Sequence, residues 1–167
     1  MIQALEGVCR RWLLGLAWLG LLGAGAAQAQ LTEANVEALL VALEAADERR
    51  DSGFVMEALA EDVVILFRFS AMGNVPDMRF NRAQYKEYLT EAYAALQDHS
   101  SRRYGTRITI SDDGSQAEVF ANVEETTTMQ GKTTSHVSQQ YVLVTWENDR
   151  PRIKRVFAEL LDQGSDT

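Results

Sequence analysis

The strongest constraint on the fold is the stretch from residue 103 to residue 157, which has the pattern of four strands joined by short turns. We predict strands at residues 103–111, 116–129, 133–146 and 152–157. The turns fall at residues 112–115, 130–131 and 147–151. Connections this short join antiparallel neighbours, so the stretch predicts an antiparallel meander. The rest of the chain must then cover one face of this sheet.

The two tightest turns predict which residues face each other. A two-residue turn at Gln130-Gly131 pairs Met129 with Lys132 and therefore places Glu125 opposite His136. A four-residue turn at residues 112–115 places Ile108 opposite Val119 in the same way. Because side chains alternate between the two faces of a strand, this pairing assigns every residue to a face. A slip of one residue would exchange the faces.

One predicted face is aliphatic, and we expect it to cover the helices. Its members are Tyr104, Thr106, Ile108, Ile110, Ala117, Val119, Ala121, Val123, Val142, Val144 and Trp146. At one end it becomes polar, with Glu125, His136, Ser138 and Gln140. The outer face is mostly polar and includes Arg103, but it carries an apolar patch of Phe120, Val137, Tyr141 and Leu143. A polar cluster at one end of an apolar surface is typical of a ligand site.

The preceding residues predict three helices and two further strands. Thr32 caps a first helix, and Ser52 can cap a short second one. A buried strand at residues 63–69 and a short returning strand at 78–80 flank a loop. Asn81 and Gln84 form a capping-box pattern that opens a third helix at residues 82–97. Helices that precede a run of strands predict the α+β class, with a curved antiparallel sheet around three N-terminal helices.

Three segments carry a family resemblance. They are EAADERRDSGFVMEALAEDVVILF (44–67), FNRAQYKEYL (80–89) and YVLVTWENDRPRIKRVFAEL (141–160). In order and spacing the chain resembles the SnoaL-like, nuclear-transport-factor-2-like superfamily, with Asp51 and Asp62 at positions where members carry aspartate. Asn81 stands where a glycine is often found. The resemblance implies a cone-shaped fold with an internal cavity, and commonly a homodimer through the outer sheet face.

The N-terminus predicts export. Arg10 and Arg11 precede an apolar run at residues 12–22, and Ala27-Gln28-Ala29 is a typical cleavage site. We therefore expect residues 1–29 to be a cleaved signal peptide, by the general or the twin-arginine route, and a periplasmic or secreted location. The alternative is an uncleaved anchor, but the run is shorter than the roughly 20 residues of a membrane span.

Composition limits the partners. The chain has a formal net charge of −8, which disfavours nucleic acid and anionic membranes, and we expect no membrane association once the signal is removed. Its one cysteine, Cys9, lies in the predicted signal, so the remaining chain offers no disulfide. We predict a single domain at residues 30–162 and a frayed tail at 163–167.

The most specific candidate chemistry is the pair Glu125 and His136. The carboxylate could orient the imidazole as an acid/base group for a bound small molecule. The alternative is an exposed cross-strand ion pair of about 0.2–1 kcal/mol. Arg68 could bind a carboxylate in the cavity or reach the rim and pair with an acid.

Other polar residues fit structural roles. Tyr85, Tyr88 and Tyr93 fit core aromatics better than catalytic acids, although Tyr85 and Tyr88 also belong to the predicted ligand-binding set, together with Arg68 and Tyr104. His99 fits a helix C-cap, and Asp51 and Asp62 fit caps and turns. Neither of the two histidines has a metal-binding spacing, and no phosphate loop is present, so we expect no metal and no cofactor.

The resulting function prediction is a non-catalytic exported protein that binds a small, partly apolar molecule. Two alternatives stay open. One is an enzyme of the isomerase or dehydratase type that uses Glu125 and His136, although the predicted inner face carries no aspartate. The other is a protein-interaction module whose cavity is filled and whose outer patch is the working surface. The fold alone does not choose among them.

Overall fold

The structure is a computed structural model, and it describes residues 30–69 and 75–164, with side chains up to Leu161. The predicted signal peptide at residues 1–29 lies outside the described residues, as do residues 70–74 and 165–167. Nine elements follow one another in the described part of the chain. The helices are α1 (Glu33–Glu48), α2 (Ser52–Ala58) and α3 (Arg82–Ala95). The strands are β1 (Leu59–Arg68), β2 (Met78–Phe80), β3 (Asp98–Ile110), β4 (Gln116–Met129), β5 (Lys132–Glu147) and β6 (Arg150–Gly164).

Side-chain caps begin all three helices. Thr32 accepts a hydrogen bond from the backbone N–H of Asn35, and Asn81 accepts one from Gln84, as the capping patterns predict. The second helix is capped by Asp51 rather than by Ser52, because the Asp51 carboxylate accepts from the N–H of Phe54 at 3.0 Å. The predicted turn role of Asp62 is wrong, since β1 already begins at Leu59.

The six strands form one curved, unclosed sheet in the order β2-β1-β6-β5-β4-β3. The meander from β3 to β6 is antiparallel, as predicted, but β1 pairs with β6 in parallel, so the sheet as a whole is mixed. The last strand extends through Gly164. Residues 163 and 164, predicted as part of a frayed tail, therefore pair with β5.

The register predicted from the two turns is confirmed. Met129 lies opposite Lys132, and Glu125 lies opposite His136. Ile108 lies opposite Val119. Gln130 and Gly131 both have positive φ angles, the conformation that suits a two-residue hairpin turn.

The predicted aliphatic face is buried from β4 to β6 and packs under the helices. α1 lies against β3 and β6, and α3 lies against β1. The buried side chains on this face include Ala117, Val119, Ala121, Val123, Val142, Val144 and Ile153, and the helices contribute Val36, Leu40 and Leu89. Trp146 packs against this core while partly exposed.

A bulge in β3 changes the faces at the start of that strand. Gly105 has φ +63, and Gly105 and Thr106 together stand opposite one residue of β4, between the pairs Tyr104–Asn122 and Arg107–Phe120. The side chains of the β3 residues before the bulge therefore lie on the opposite face of the sheet from the one predicted. Tyr104 points outward and is 42% exposed, so its predicted place on the inner face and in the ligand site is wrong. Arg103, predicted outside, lies on the inner side.

Candidate active site

A cavity of about 490 Å³ lies between the sheet and the helices. Its wall comes from α1 and α3, from β1, and from the four strands of the meander. Most of the wall is aliphatic or aromatic. Its polar groups include a cluster that we call the polar end: Glu44 and Asp47 of α1, Tyr93 of α3, His99 of β3, Glu125 of β4 and His136 of β5.

Aromatic rings form one side of the cavity. Tyr85 and Tyr88 on α3 stack at 6.0 Å between ring centroids, and Phe67 of β1 meets both edge-on at 6.2 and 6.1 Å. Burial raises the pKa of both tyrosine hydroxyls, so they stay protonated. These rings give a flat apolar surface on which a ligand ring can pack.

The polar end is built around Asp47, in the last turn of α1. Its Oδ1 accepts a 2.6 Å hydrogen bond from the hydroxyl of Tyr93, and its Oδ2 lies 2.6 Å from Nε2 of His99. Burial and the bond to Asp47 raise the pKa of Tyr93, which keeps its proton as a donor. Asp47 thus joins α1 to the end of α3 and the start of β3.

Glu125 on β4 lies between the two histidines. Its Oε2 is 3.1 Å from Nε2 of His136 on β5, and its Oε1 is 3.8 Å from Nδ1 of His99. Burial raises the pKa of Glu125, but the hydrogen bond from His136 and the charges of both histidines lower it by more, so the net shift is downward. Glu125 is therefore ionised at neutral pH.

The two histidines differ in exposure and in their second nitrogen. The His99 side chain is 3% exposed, whereas that of His136 is 25% exposed along the cavity. Nδ1 of His99 is buried without a hydrogen-bond partner. Nε2 is the nitrogen that faces the Asp47 carboxylate, and Nδ1 is the nitrogen that faces Glu125. The ring therefore lies between two carboxylates.

Arg103 borders the polar end but is already bound. Its guanidinium contacts the carboxylates of Glu44 and Glu37 on α1, the latter at 2.7 Å. Burial lowers the pKa of Arg103, and the two carboxylates raise it by more. The bond from Arg103 lowers the pKa of Glu37. This cation is therefore neutralised by the helix that it holds against the sheet.

Within residues 30–69 and 75–164, no group of three or more histidine, cysteine, aspartate or glutamate side chains is arranged to hold a metal ion. No helix in the same ranges is long and apolar enough to cross a membrane.

Solved structures with the same architecture are known, although no protein-family model and no curated protein sequence matches the chain. A protein assigned as a scytalone dehydratase from Novosphingobium aromaticivorans aligns over 80% of this chain and 87% of its own, with TM-score 0.69 and 12% identity. The hexachlorocyclohexane dehydrochlorinase LinA-type3 from Novosphingobium barchaimii aligns over 78% and 87%, with TM-score 0.63 and 6% identity. A protein assigned as a dehydratase of the NTF2-like family from Streptomyces avermitilis aligns over 77% and 95%, with TM-score 0.63 and 11% identity.

The chain has the nuclear-transport-factor-2-like fold. The resemblance predicted from residues 44–67, 80–89 and 141–160 is therefore confirmed at the level of fold. At these identities the likeness does not extend to activity.

Most of the predicted ligand residues meet in the cavity of this nuclear-transport-factor-2-like fold. Those that line it are Arg68, Tyr85, Tyr88, Glu125, His136, Ser138 and Gln140. Arg68 sits at the rim, where it pairs with Asp77 at 3.5 Å and its guanidinium lies 5.0 Å from the ring of Phe157. Of the two roles open to Arg68, the structure supports the rim ion pair. The predicted patch lies on the outer face, where the rings of Phe120 and Tyr141 are 5.0 Å apart.

Sequence reasoning missed Asp47, His99 and Arg103, and it assigned Tyr93 to the core alone. His99 was predicted to cap a helix, but α3 ends at Ala95 and β3 begins at Asp98, so His99 is a strand residue. The available signal was Gly105, because an isolated glycine inside a strand pattern indicates a bulge. A bulge there exchanges the faces of the residues before it, and brings residues 99, 101 and 103 inside.

Proposed function

We propose that the protein is an enzyme that moves a proton on a small, partly apolar molecule, of the isomerase or dehydratase type. One observation carries the proposal. The groups Asp47, His99, Glu125 and His136 form a chain of alternating carboxylates and imidazoles along the polar end of an otherwise largely apolar cavity. The predicted alternative for Glu125 and His136, an exposed ion pair, does not account for this buried continuation through His99 to Asp47.

The chain provides both an acid and a base. His136 is the more exposed imidazole, and no described residue hydrogen-bonds its second ring nitrogen, so we assign it to contact the substrate. Glu125 orients it and is positioned to stabilise its protonated form. His99 is the second imidazole, held by Asp47, whose other oxygen accepts from the hydroxyl of Tyr93. Asp47 and Tyr93 act through His99 and are positioning residues.

An elimination of water illustrates the chemistry. A neutral imidazole takes a proton from the carbon next to a carbonyl, and the electron pair of that C–H bond forms the new double bond. The C–O bond to the leaving hydroxyl breaks, and the same imidazole, now protonated, gives that proton to the departing oxygen, so that water leaves and the imidazole is neutral again. The names of two similar structures, a scytalone dehydratase and a dehydrochlorinase, support elimination as the reaction class.

The test is proton exchange and elimination in deuterated water, followed by NMR. The substrates are a panel of cyclic β-hydroxy ketones and chlorinated cyclohexanes. We expect the wild type to exchange or eliminate at least one compound, and His136→Gln and Glu125→Gln to slow this by about 10²–10⁴-fold. Glu124→Gln is the matched control, because its side chain is the neighbour of Glu125 on the outer face. Rates that are equal in all four proteins would sink the catalytic roles.

The second candidate is the function predicted from sequence alone, a non-catalytic binder of a small, partly apolar molecule. The apolar wall around the aromatic rings favours it. Native mass spectrometry of protein purified from its own host tests it, since a retained small molecule together with no exchange on that molecule would select binding over catalysis. We also propose export with cleavage after Ala29, which N-terminal sequencing of the protein from its host checks.

We further propose a homodimer through the outer patch of Phe120, Val137, Tyr141 and Leu143. The row continues across the sheet, because Phe120, Tyr141 and Phe157 are register partners. We expect a dimer by light scattering at micromolar concentration and a monomer for Tyr141→Glu. Val41→Glu, a change at a 51% exposed site on α1, is the control. A monomeric wild type would contradict the proposal.

A further inference from the structure

We infer that the cavity admits uncharged and cationic ring compounds and excludes carboxylates and phosphates, and that Glu44 contributes to this selectivity through its negative charge beside the guanidinium of Arg103. The inference deepens the proposed function, since it names a substrate class for the same cavity. It rests on the proposal only in taking this cavity as the ligand site.

The polar end holds more carboxylates than guanidinium groups. Three carboxylates line it, those of Glu44, Asp47 and Glu125, and Glu125 is ionised because its pKa is lowered. Against them stand one guanidinium, that of Arg103, and two imidazoles. A ligand anion entering here would leave water for a site that already holds more carboxylates than fixed cations, which is costly.

The guanidinium of Arg103 is not available to a ligand. Its side chain is 12% exposed, and Nε contacts Glu44 while both terminal nitrogens contact Glu37. One terminal nitrogen also donates to the hydroxyl of Thr106 at 2.7 Å. A carboxylate ligand usually binds arginine through two parallel N–H bonds, and here the edges that could offer them are taken.

The cation at the rim of the cavity, Arg68, is also paired with a carboxylate. Arg68 pairs with Asp77 and is 43% exposed, so it is partly neutralised at the entrance and is screened by water. In the described part of the cavity wall, no other lysine or arginine is present. An anion passing the rim would therefore find no free partner inside.

The cavity wall favours a flat ring that carries a polar group. The stacked pair Tyr85 and Tyr88, with Phe67 at their edges, provides a surface for a flat ring. Carboxylates and imidazoles at the other end can accept hydrogen bonds from a hydroxyl or an ammonium group. A ring that carries a hydroxyl, carbonyl or amine satisfies both ends.

The experiment compares three probes that share one ring: 2-naphthalenemethanol, 2-naphthylmethylamine and 2-naphthoate. At about pH 7.5 the alcohol is neutral, the amine is protonated and the carboxylate is ionised. Binding is measured by NMR chemical-shift titration on the full-length mature protein. We expect the alcohol and the amine to bind about tenfold or more tightly than naphthoate.

The decisive variant is Glu44→Gln, which removes one negative charge beside the Arg103 guanidinium and keeps an amide oxygen as acceptor for Nε. The cation then stays in place, held by Glu37, but is less fully neutralised. We expect it to gain about tenfold in naphthoate affinity while alcohol binding stays within about twofold. Glu33→Gln is the matched control, because it removes the same charge from an exposed position of the same helix. Glu33→Gln should leave the affinities for naphthoate and for the alcohol unchanged.

Three outcomes would overturn the inference. They are wild-type naphthoate binding as tight as that of the alcohol, an unchanged naphthoate affinity in Glu44→Gln, and binding of none of the probes. The first two leave the acid/base proposal intact, because exchange in deuterated water tests that chemistry separately. If the wild type exchanges no protons but still binds the alcohol and the amine more tightly than naphthoate, only the acid/base proposal is contradicted.

Discussion

The hydroxyl of Tyr93 donates a 2.6 Å hydrogen bond to Oδ1 of Asp47, and so joins the ends of two helices that are 46 positions apart at this contact. The other oxygen of the same carboxylate holds His99. The geometry of the deeper imidazole therefore depends on a tyrosine that does not itself hydrogen-bond to the imidazole ring. This arrangement gives the first of four predictions.

Tyr93→Phe removes the hydroxyl and leaves the ring. Since hydrogen bonds to a charged group contribute about 1.5–3 kcal/mol and Asp47 is a third exposed, we expect a loss of about 1–2 kcal/mol in the free energy of unfolding. Urea unfolding measures it. Tyr141→Phe is the control, because its hydroxyl bonds Glu118 on the outer face and should cost about 0.5 kcal/mol or less. Equal losses in both variants would contradict a positioning role.

The lowered pKa of Glu125 makes stability depend on pH. Its ordinary value is 4.5, and the folded value lies below it, so its ionised form stabilises the fold above about pH 4.5 and this contribution is lost as the pH falls through the folded value. In His136→Gln the cause that lowers this pKa is largely removed while burial remains, so the Glu125 pKa should rise. A carboxyl NMR titration of wild type and variant measures it. An unchanged Glu125 value would show that burial and His136 do not control it.

Arg103 is predicted to hold α1 against β3. Arg103→Met leaves the carboxylates of Glu37 and Glu44 without their partner, and we expect a loss of about 1–3 kcal/mol, discounted because both are partly exposed. Arg102→Met, one residue earlier on the outward side and 75% exposed, should cost about 0.5 kcal/mol or less. Chemical denaturation of the two variants side by side checks the difference.

Gly105 is predicted to matter more than Gly131, although both have positive φ. A methyl group at Gly131 meets no atom within 4 Å, so Gly131→Ala carries only the backbone cost of about 1–2 kcal/mol. At Gly105 the added methyl also lies 3.3 Å from the side chain of Asn122. We expect Gly105→Ala to be the less stable of the two and to lose the proposed proton-exchange activity, because the bulge places Arg103 and His99 inside. Equal stability and full activity would argue against this role.

Patterns that act locally were readable from the sequence. The turn at Gln130-Gly131 sets the pairing of Glu125 with His136, and alternation then places Ser138 and Val142 on the same face. The capping boxes at Thr32 and Asn81 are equally local. These features need no knowledge of distant contacts, which is why the register and the ligand-facing half of β4 and β5 could be predicted.

The other half of the polar end depends on long-range packing. Asp47 is one acid among several on α1, and only the packing of that helix against β3 brings it to His99, 52 positions away. The same packing brings Glu37 and Glu44 to Arg103. Neither contact has a local signature, and the single bulge at Gly105 was enough to reverse the faces on which the prediction depended.

The parallel pairing of β1 with β6 has a consequence for the order of events in the life of the chain. β1 is the second strand from one edge of the sheet, between β2 and β6, so its neighbour β6 is made about 90 residues later than β1 itself. Pairing over such a distance is slow and occurs late. A newly made chain therefore has an incomplete cavity wall until β6 has been made and has paired with β1.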